Sequence, residues 1–257
     1  MREFSVVGCG LFVPGFSSVE AWRNGDYKEE DLRPSGSSLE RRSRRLASDL
    51  MRGLAGAYQE AVTQGELAPE SVASVFGSAI SEAKTMIGLL DQMWALNEEP
   101  SPMAFAASVH NAAAGVVSIS NKNREFTTSI AADFDTVAMS LMEAVGLLVT
   151  GTEAVVIAGG DEAAPEKLVT NEFHWSALCA SVALHADPHH PRALARIRVP
   201  QLGVAGTIAA PKADAALQMN PQFGLLRLID AVCGQQSGVV PLDEGLGRGW
   251  SVEVLTP

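Results

Sequence analysis

The sequence contains no run of eighteen or more apolar residues, so no segment is expected to cross a membrane as a helix. Positive charge is scarce. Nineteen Lys and Arg face thirty Asp and Glu, for a formal net charge of −11. Nucleic-acid binding needs a basic face to neutralise phosphates, so that class of partner is excluded. Cysteine is sparse as well: Cys9, Cys179 and Cys233 form an odd, widely spaced set with no CxxC. Free thiols in a reducing compartment are the natural reading, and neither a disulfide framework nor a zinc knuckle is expected. No Gly-x-Ser-x-Gly elbow announces a serine hydrolase. No short-period repeat or low-complexity tract is present. The first residues, Met1-Arg2-Glu3-Phe4-Ser5-Val6-Val7, enter a strand pattern at once, without the basic and long apolar segments of a secretory signal. A cytoplasmic location is expected.

The 257 residues, 47% of them hydrophobic, suffice for one sizeable core. Phe4 to Gly10 reads as a buried strand and Ser18 to Asn24 as a short helix. The Gly-, Pro- and Ser-rich stretch from Gly25 to Ser38 reads as a loop. Leu46, Leu50, Leu54, Tyr58 and Ala61-Val62 recur at helical spacing, predicting one long helix from Leu39 to Gly65. A strand at 72–78 and a helix at 85–97 follow, the latter with Met86, Leu89, Leu90 and Met93 on one face. Pro100 and Pro102 break the pattern. Beyond them the sequence predicts a small-residue helix at 110–119, a strand at 125–131 and a helix at 134–149. Strands are expected at 154–158, 178–185, 195–199 and 250–255, with a helix within 220–233. Strands alternating with helices predict an α/β fold, and no linker divides the chain, so 1–257 is read as one domain.

Several residues invite chemical readings. His185, Asp187, His189 and His190 could suggest a metal, but Pro188 and Pro191 interrupt them and no second Cys or His cluster supports zinc, so a solvated loop is expected. His110, beside Asn111 at a helix start, suits a capping or interface role better than catalysis. Gly8-Cys9-Gly10 after a strand could open a dinucleotide site, but Pro14 and a turn intervene where a helix should begin at once. Arg41, Arg42, Arg44 and Arg45 fall in the first turns of the expected long helix, where positive charge opposes the helix dipole. They either pair with carboxylates such as Glu40 and Asp49 or dock an anionic partner.

Three segments carry a family resemblance. The first is Val6-Val7-Gly8-Cys9-Gly10, followed by Pro14-Gly15, Trp22 and Gly25. The second is Asn111-Ala112-Ala113-Ala114-Gly115-Val116-Val117-Ser118-Ile119, and the third runs from Thr127 to Gly160. Together they resemble the N-terminal half of the β-ketoacyl synthases of the thiolase-like superfamily. The likeness extends to short chain-length-factor-type subunits of bacterial type II polyketide systems, such as those making aryl polyenes, which share the motif of Ser101-Pro102, Phe105 and Ser108-Val109-His110-Asn111. Counting forward from Ser118 and back from Gly159-Gly160 both place Phe134 where active members carry the acyl-accepting cysteine. The aromatic-polyketide chain length factors carry Gln there, so Phe is a departure.

The resemblance implies a thiolase-like α/β protein, helices layered on a mixed sheet, with a near-complete N-terminal half and a reduced C-terminal half. It also implies no independent condensing activity. Phe134 cannot form a thioester, and Asp133 and Asp135, suited to an N-cap and a first helical turn, would raise the pKa of any thiolate placed there. The family's later His motifs have no counterpart, and Gly203 to Ala209 is a small-residue loop without His. Phe134 either packs in a core or obstructs an acyl tunnel. The implied partners are a full-length ketosynthase and an acyl carrier protein, with no cofactor and no metal. The implied interface or tunnel residues are His110, Asn111, Ala112, Ala113, the strand Phe126-Thr127-Thr128-Ser129-Ile130, Asp133 and Phe134, with Ala114 also small enough for close packing. The four arginines are the candidate docking patch. The rival readings are a homodimeric structural or regulatory protein without an acyl role, and an enzyme using Cys9 or Cys179 as nucleophile.

Overall fold

A computed structural model describes residues 2–170, 173–243 and 245–257. In chain order the elements are β1 (Glu3–Phe12), α1 (Val19–Asn24), α2 (Arg41–Leu46), α3 (Asp49–Gln64), β2 (Ala73–Gly77), α4 (Ala83–Leu90), α5 (Pro102–Ala107) and α6 (Ala112–Asn121). They continue with β3 (Thr127–Ile130), α7 (Thr136–Val149), β4 (Ala154–Asp161), β5 (Leu178–His185), β6 (Ala195–Arg198), β7 (Gln201–Leu202), α8 (Ala215–Gln218), α9 (Phe223–Cys233), β8 (Gly238–Pro241) and β9 (Trp250–Leu255). A π turn, Asp91–Ala95, prolongs α4.

The strands form one mixed sheet in the order β3-β2-β4-β5-β1-β6-β9-β7, with β8 on the other side of β9. β3, β2 and β4 are parallel, while β5 pairs antiparallel with both β4 and β1. Two apolar layers cover it. α7 and α9 pack with Phe4, Val75, Ile157, Leu178 and Leu184 on one face, and α3 and α6 pack with Val7, Phe76, Val156 and Ala183 on the other. β1, β4 and β5 lie between these layers and are buried along nearly their whole length, which explains their continuous apolar runs.

The glycines of β1 have a packing role. A Cβ on Gly8 would lie 2.0 Å from the Ala61 carbonyl oxygen, and one on Gly10 would lie 1.9 Å from that of Ala57. The backbone of α3 therefore rests directly on β1, and only glycine permits this approach. Gly8-Cys9-Gly10 is a helix-seating strand rather than a phosphate loop.

The expected helix from Leu39 to Gly65 is two helices. Ala47 leaves helical geometry and Ser48 becomes the N-cap of α3, accepting from Met51 N at 3.0 Å. The arginines consequently lie in the short α2, with Arg44 and Arg45 in its last turn, where positive charge agrees with the dipole. The opposition expected from a single long helix is lifted for that pair, while Arg41 and Arg42 still open a helix. α5, α8, β7 and β8 went unread in the sequence because they are short and their periodicity is weak.

Candidate functional site

The start of α7 is the position that the sequence singled out. Asp133 has φ +53° and makes no cap; Thr136 closes the turn, its Oγ1 donating to the Asp133 carbonyl and accepting from Ala132 N. The expected N-cap role of Asp133 is not realised: α7 starts without a side-chain cap bond, and the buried Thr136 holds the turn before it. Asp135 faces the C-terminal part, accepting from Arg248 N at 2.9 Å and pairing with its guanidinium at 3.4 Å. Between them Phe134 is half-buried, its ring 6.4 Å from those of Phe173 and Trp175. Behind it, Asn220, Pro221, Phe223 and Leu242 leave no water-sized void. The ring is a packing element here, and no thiol lies in this cluster.

Beside it sits a group that the sequence reading missed. Asp161, fully buried at the end of β4, accepts from Ser78 Oγ at 2.7 Å, from the amides of Ala79 and Ile80 at 3.0 Å, and from Gln222 Nε2 at 2.8 Å. Burial raises its pKa, and the four donors act in the opposite sense. The carboxylate ties the turn after β2 to the start of α9. Nearby, buried Glu82 accepts from Ser48 Oγ at 2.9 Å, and burial pushes its carboxyl to about 7. Glu162 is also raised by burial, against the Lys84 amide and ammonium. An acidic pair after Gly159-Gly160 at the end of an apolar strand was the available signal.

The thiols offered as alternative nucleophiles are poorly placed. Cys179 is buried, and its pKa is driven up by burial and then by Asp161, Glu82 and Glu162. Cys9 is also buried and raised, first by its interaction with Cys233 and then by burial. A thiolate at either position is disfavoured. His185 is not in a solvated loop but closes β5, buried, with its ring tilted against that of His190 at 4.2 Å between centroids. Among the described residues no His, Cys, Asp or Glu cluster has the geometry to hold a metal.

The sheet edge gathers most of the remaining candidates. His110, Asn111, Ala114, Gly115 and Ser118 face Thr127, Thr128 and Ser129 across an open groove of about 550 Å³. His110 Nε2 lies 3.0 Å from the Ser78 carbonyl, and Asn111 precedes α6 without a side-chain cap bond. Ala113 and Ala114 are buried in the core that includes α3, with Ala114 also at the wall of the groove, and Ala112 packs beside them. Phe126 is 48% exposed and all of β3 is half-buried. Among the described residues no strand pairs the outer side of β3. The carbonyls of Phe126 and Ile130 accept from β2, so ladder alternation turns the backbone groups of Thr127 and Ser129 outward. The Ser129 hydroxyl has no partner.

The neighbouring strap is also uncovered. Leu89 is buried, but Met86, Leu90 and Met93 are each more than one-third exposed, so the expected apolar face is largely bare. Trp94 is 74% exposed, and Met103 and Phe105 are exposed on α5. Arg41, Arg42, Arg44 and Arg45 are all exposed, and among the described residues none makes an ion pair; Asp49 pairs with Arg33 instead. The expected local pairing with Glu40 and Asp49 is absent. No helix among the described residues is long and apolar enough to cross a membrane.

The N-terminal-domain family of β-ketoacyl synthases matches residues 20–221. The chain belongs to that family. Its fold is thiolase-like: one chain of the ketosynthase ApeO in complex with its chain length factor ApeC, from Xenorhabdus doucetiae, superposes with a TM-score of 0.69. Identity is 19%, covering 99% of this chain and 100% of that one. A second structure, a type II polyketide acyl-carrier protein in complex with its ketosynthase bound to the hexaketide, gives a TM-score of 0.68 at 11% identity, with both chains fully covered. A β-ketoacyl synthase from Burkholderia phymatum gives 0.55 at 9% identity, covering 77% of this chain and 63% of that one. No curated protein matches. The short family member shares its full extent with the first two structures, whereas the synthase continues further.

Proposed function

We propose that this family member is a non-catalytic, chain-length-factor-type subunit that pairs with an active β-ketoacyl synthase and helps shape its acyl tunnel. The observation that carries the reading is Phe134. Where the family resemblance places the acyl-accepting cysteine, an aromatic ring packs against Phe173 and Trp175. Claisen condensation needs a thiolate at that position to hold the acyl chain, and the buried Cys9 and Cys179 do not supply one.

The pairing surface is the β3 edge with the groove lined by His110 and Asn111, continued by the apolar strap that carries Trp94 and Phe105. An unpaired strand edge beside exposed aromatic residues is a liability in a monomer and an asset in an interface. Fold likeness to a chain of a ketosynthase–chain length factor complex supports the same assignment. The exposed, unpaired Arg41, Arg42, Arg44 and Arg45 are the docking patch for an acidic carrier protein or for the synthase.

Co-expression with the ketosynthase of a neighbouring gene, followed by solution mass, tests the pairing. A heterodimer is expected; a stable homodimer that ignores the synthase overturns the reading. Incubation of the chain alone with acyl-thioesters should leave its intact mass unchanged, and an acyl adduct would restore the enzyme alternative.

A further inference from the structure

A cavity of about 750 Å³ opens between the end of β1, α1, the turn from Arg33 to Ser38 and α3, and it shares no wall residue with the β3 groove. Two unsatisfied donors meet at one corner of it. Leu39 N donates to the Gly36 carbonyl at 3.0 Å, and the turn so closed rests on Arg52, whose Cγ would lie 2.7 Å from a Cβ on Gly36. Arg52 gives Nη2 to the Arg44 carbonyl at 3.0 Å, while its Nε is buried without an acceptor. Among the described residues no carboxylate pairs with it; Asp49 is taken by Arg33. Ser38, two residues beyond Gly36, buries a hydroxyl that also has no partner. Both Arg52 and Ser38 line the cavity. A buried donor without an acceptor is costly, and an unneutralised guanidinium more so.

The rest of the wall is polar and already sorted by charge. Asp31 accepts from Ser17 Oγ at 2.8 Å, and Glu60 accepts from the amides of Leu11 and Val19, so these two acids are engaged. Glu20 is the wall carboxylate left without a donor among the described residues. Hydroxyls and amides dominate otherwise, and Phe12 is the single aromatic residue of the wall, so there is no platform for stacking a base. α3 is bare at this point. Gly56 stands exposed in mid-helix, and a Cβ there would meet nothing within 4 Å. Glycine inside a helix sacrifices stability relative to alanine, and here it keeps the cavity floor open.

We propose that this cavity binds a small hydroxylated anion, a sugar-like polyol carrying a phosphate or a carboxylate. The oxyanion lies against Arg52 and Ser38, supplying the acceptor that both lack, and the hydroxyls run along Gln59, Ser17 and Glu20. A guanidinium matches the planar pair of oxygens that either head group presents, and the volume is that of a small-molecule site. The site is independent of pairing with a ketosynthase, so failure of either reading leaves the other standing.

The full chain is titrated by calorimetry with glucose 6-phosphate, gluconate and glucose, at an ionic strength fixed with sodium chloride. Saturable binding of an anion is expected, with glucose weaker by about tenfold or more. Glucose 6-phosphate alone assigns a phosphate, gluconate alone a carboxylate, and both an unselective oxyanion site. Arg52→Gln should weaken the bound anion by about tenfold or more. Gly56→Leu should do the same by filling the floor, without lowering the thermal midpoint, because leucine favours the helix. Should Arg52→Gln fold poorly, Gly56→Leu decides. The proposal is overturned if neither anion binds saturably or if glucose binds equally well. It also falls if binding survives Gly56→Leu and is lost instead when Arg41, Arg42, Arg44 and Arg45 are replaced by glutamine.

Discussion

The two ends of the sheet are finished differently. At the far end the last strand, β8, is covered by the chain itself: Val239 N donates to Thr207 Oγ1, and the Val239 carbonyl accepts from Thr207 N and Ile208 N. Pro241 blocks further pairing there, and nearby Glu3, Arg196, Arg198 and Glu253 form an ion-pair network. At the near end β3 has no such cover, and the adjoining strap exposes Trp94, Met103 and Phe105. One edge is completed within the chain. The other is left open at the face proposed for the partner.

The contrast can be broken most severely at β3. Ser129→Pro removes an outward-facing N–H and should abolish association with the ketosynthase in size-exclusion mass measurements while leaving the isolated chain folded by circular dichroism. Retained association would mean that the edge is not used.

Glu82 lies at neither edge and sharpens the comparison by separating folding from assembly. Its carboxyl ionises near 4.5 when unfolded and at about 7 in the fold, so the folded chain holds the extra proton between those values. Stability is therefore highest below the unfolded value and falls as pH rises through the folded one. Glu82→Gln should remove up to about 3 kcal/mol of that loss in urea midpoints compared at pH 5 and pH 8. Asp161 and Glu162, raised in the same direction, will keep a residual slope.

Trp94→Ala acts on the strap. Loss of an exposed aromatic anchor should weaken the complex by about 2 kcal/mol, roughly 30-fold in Kd by calorimetry, with the thermal midpoint of the free chain unchanged. The smallest effect belongs to the finished edge. Thr207→Val deletes the acceptor for Val239 N and should cost about 1 kcal/mol of stability in urea unfolding, with no change in partner affinity. Equal effects of both variants on association would erase the distinction between the edges.

Much of the fold was legible because its signals are local. The apolar runs of β1, β4 and β5 and the 3.6-residue pattern of α3 mark buried elements wherever they end up, and the final strand was read at 250–255, its observed extent. The split at Ala47–Ser48 escaped because the apolar spacing continues across it, while the Ser48 cap is decided by contacts with Met51 and Glu82. For the site, Phe134 was found by position and Asp161 was not. A missing cysteine is visible in the chain; the acidic pair after Gly159-Gly160 marks Asp161 only as a candidate, because its partners Ser78, Ala79, Ile80 and Gln222 stand at no fixed spacing from it.

The sequence by itself determined the α/β order, the family and the phenylalanine where the resemblance expects a cysteine, since propensity, periodicity and motif spacing are properties of neighbours along the chain. Only the tertiary structure decided that Ala113 and Ala114 turn inward and that, among the described residues, four arginines make no ion pair and one sheet edge is sealed while the other is bare. Those outcomes depend on which distant surfaces exclude water together, and burial between remote segments leaves no mark on local spacing.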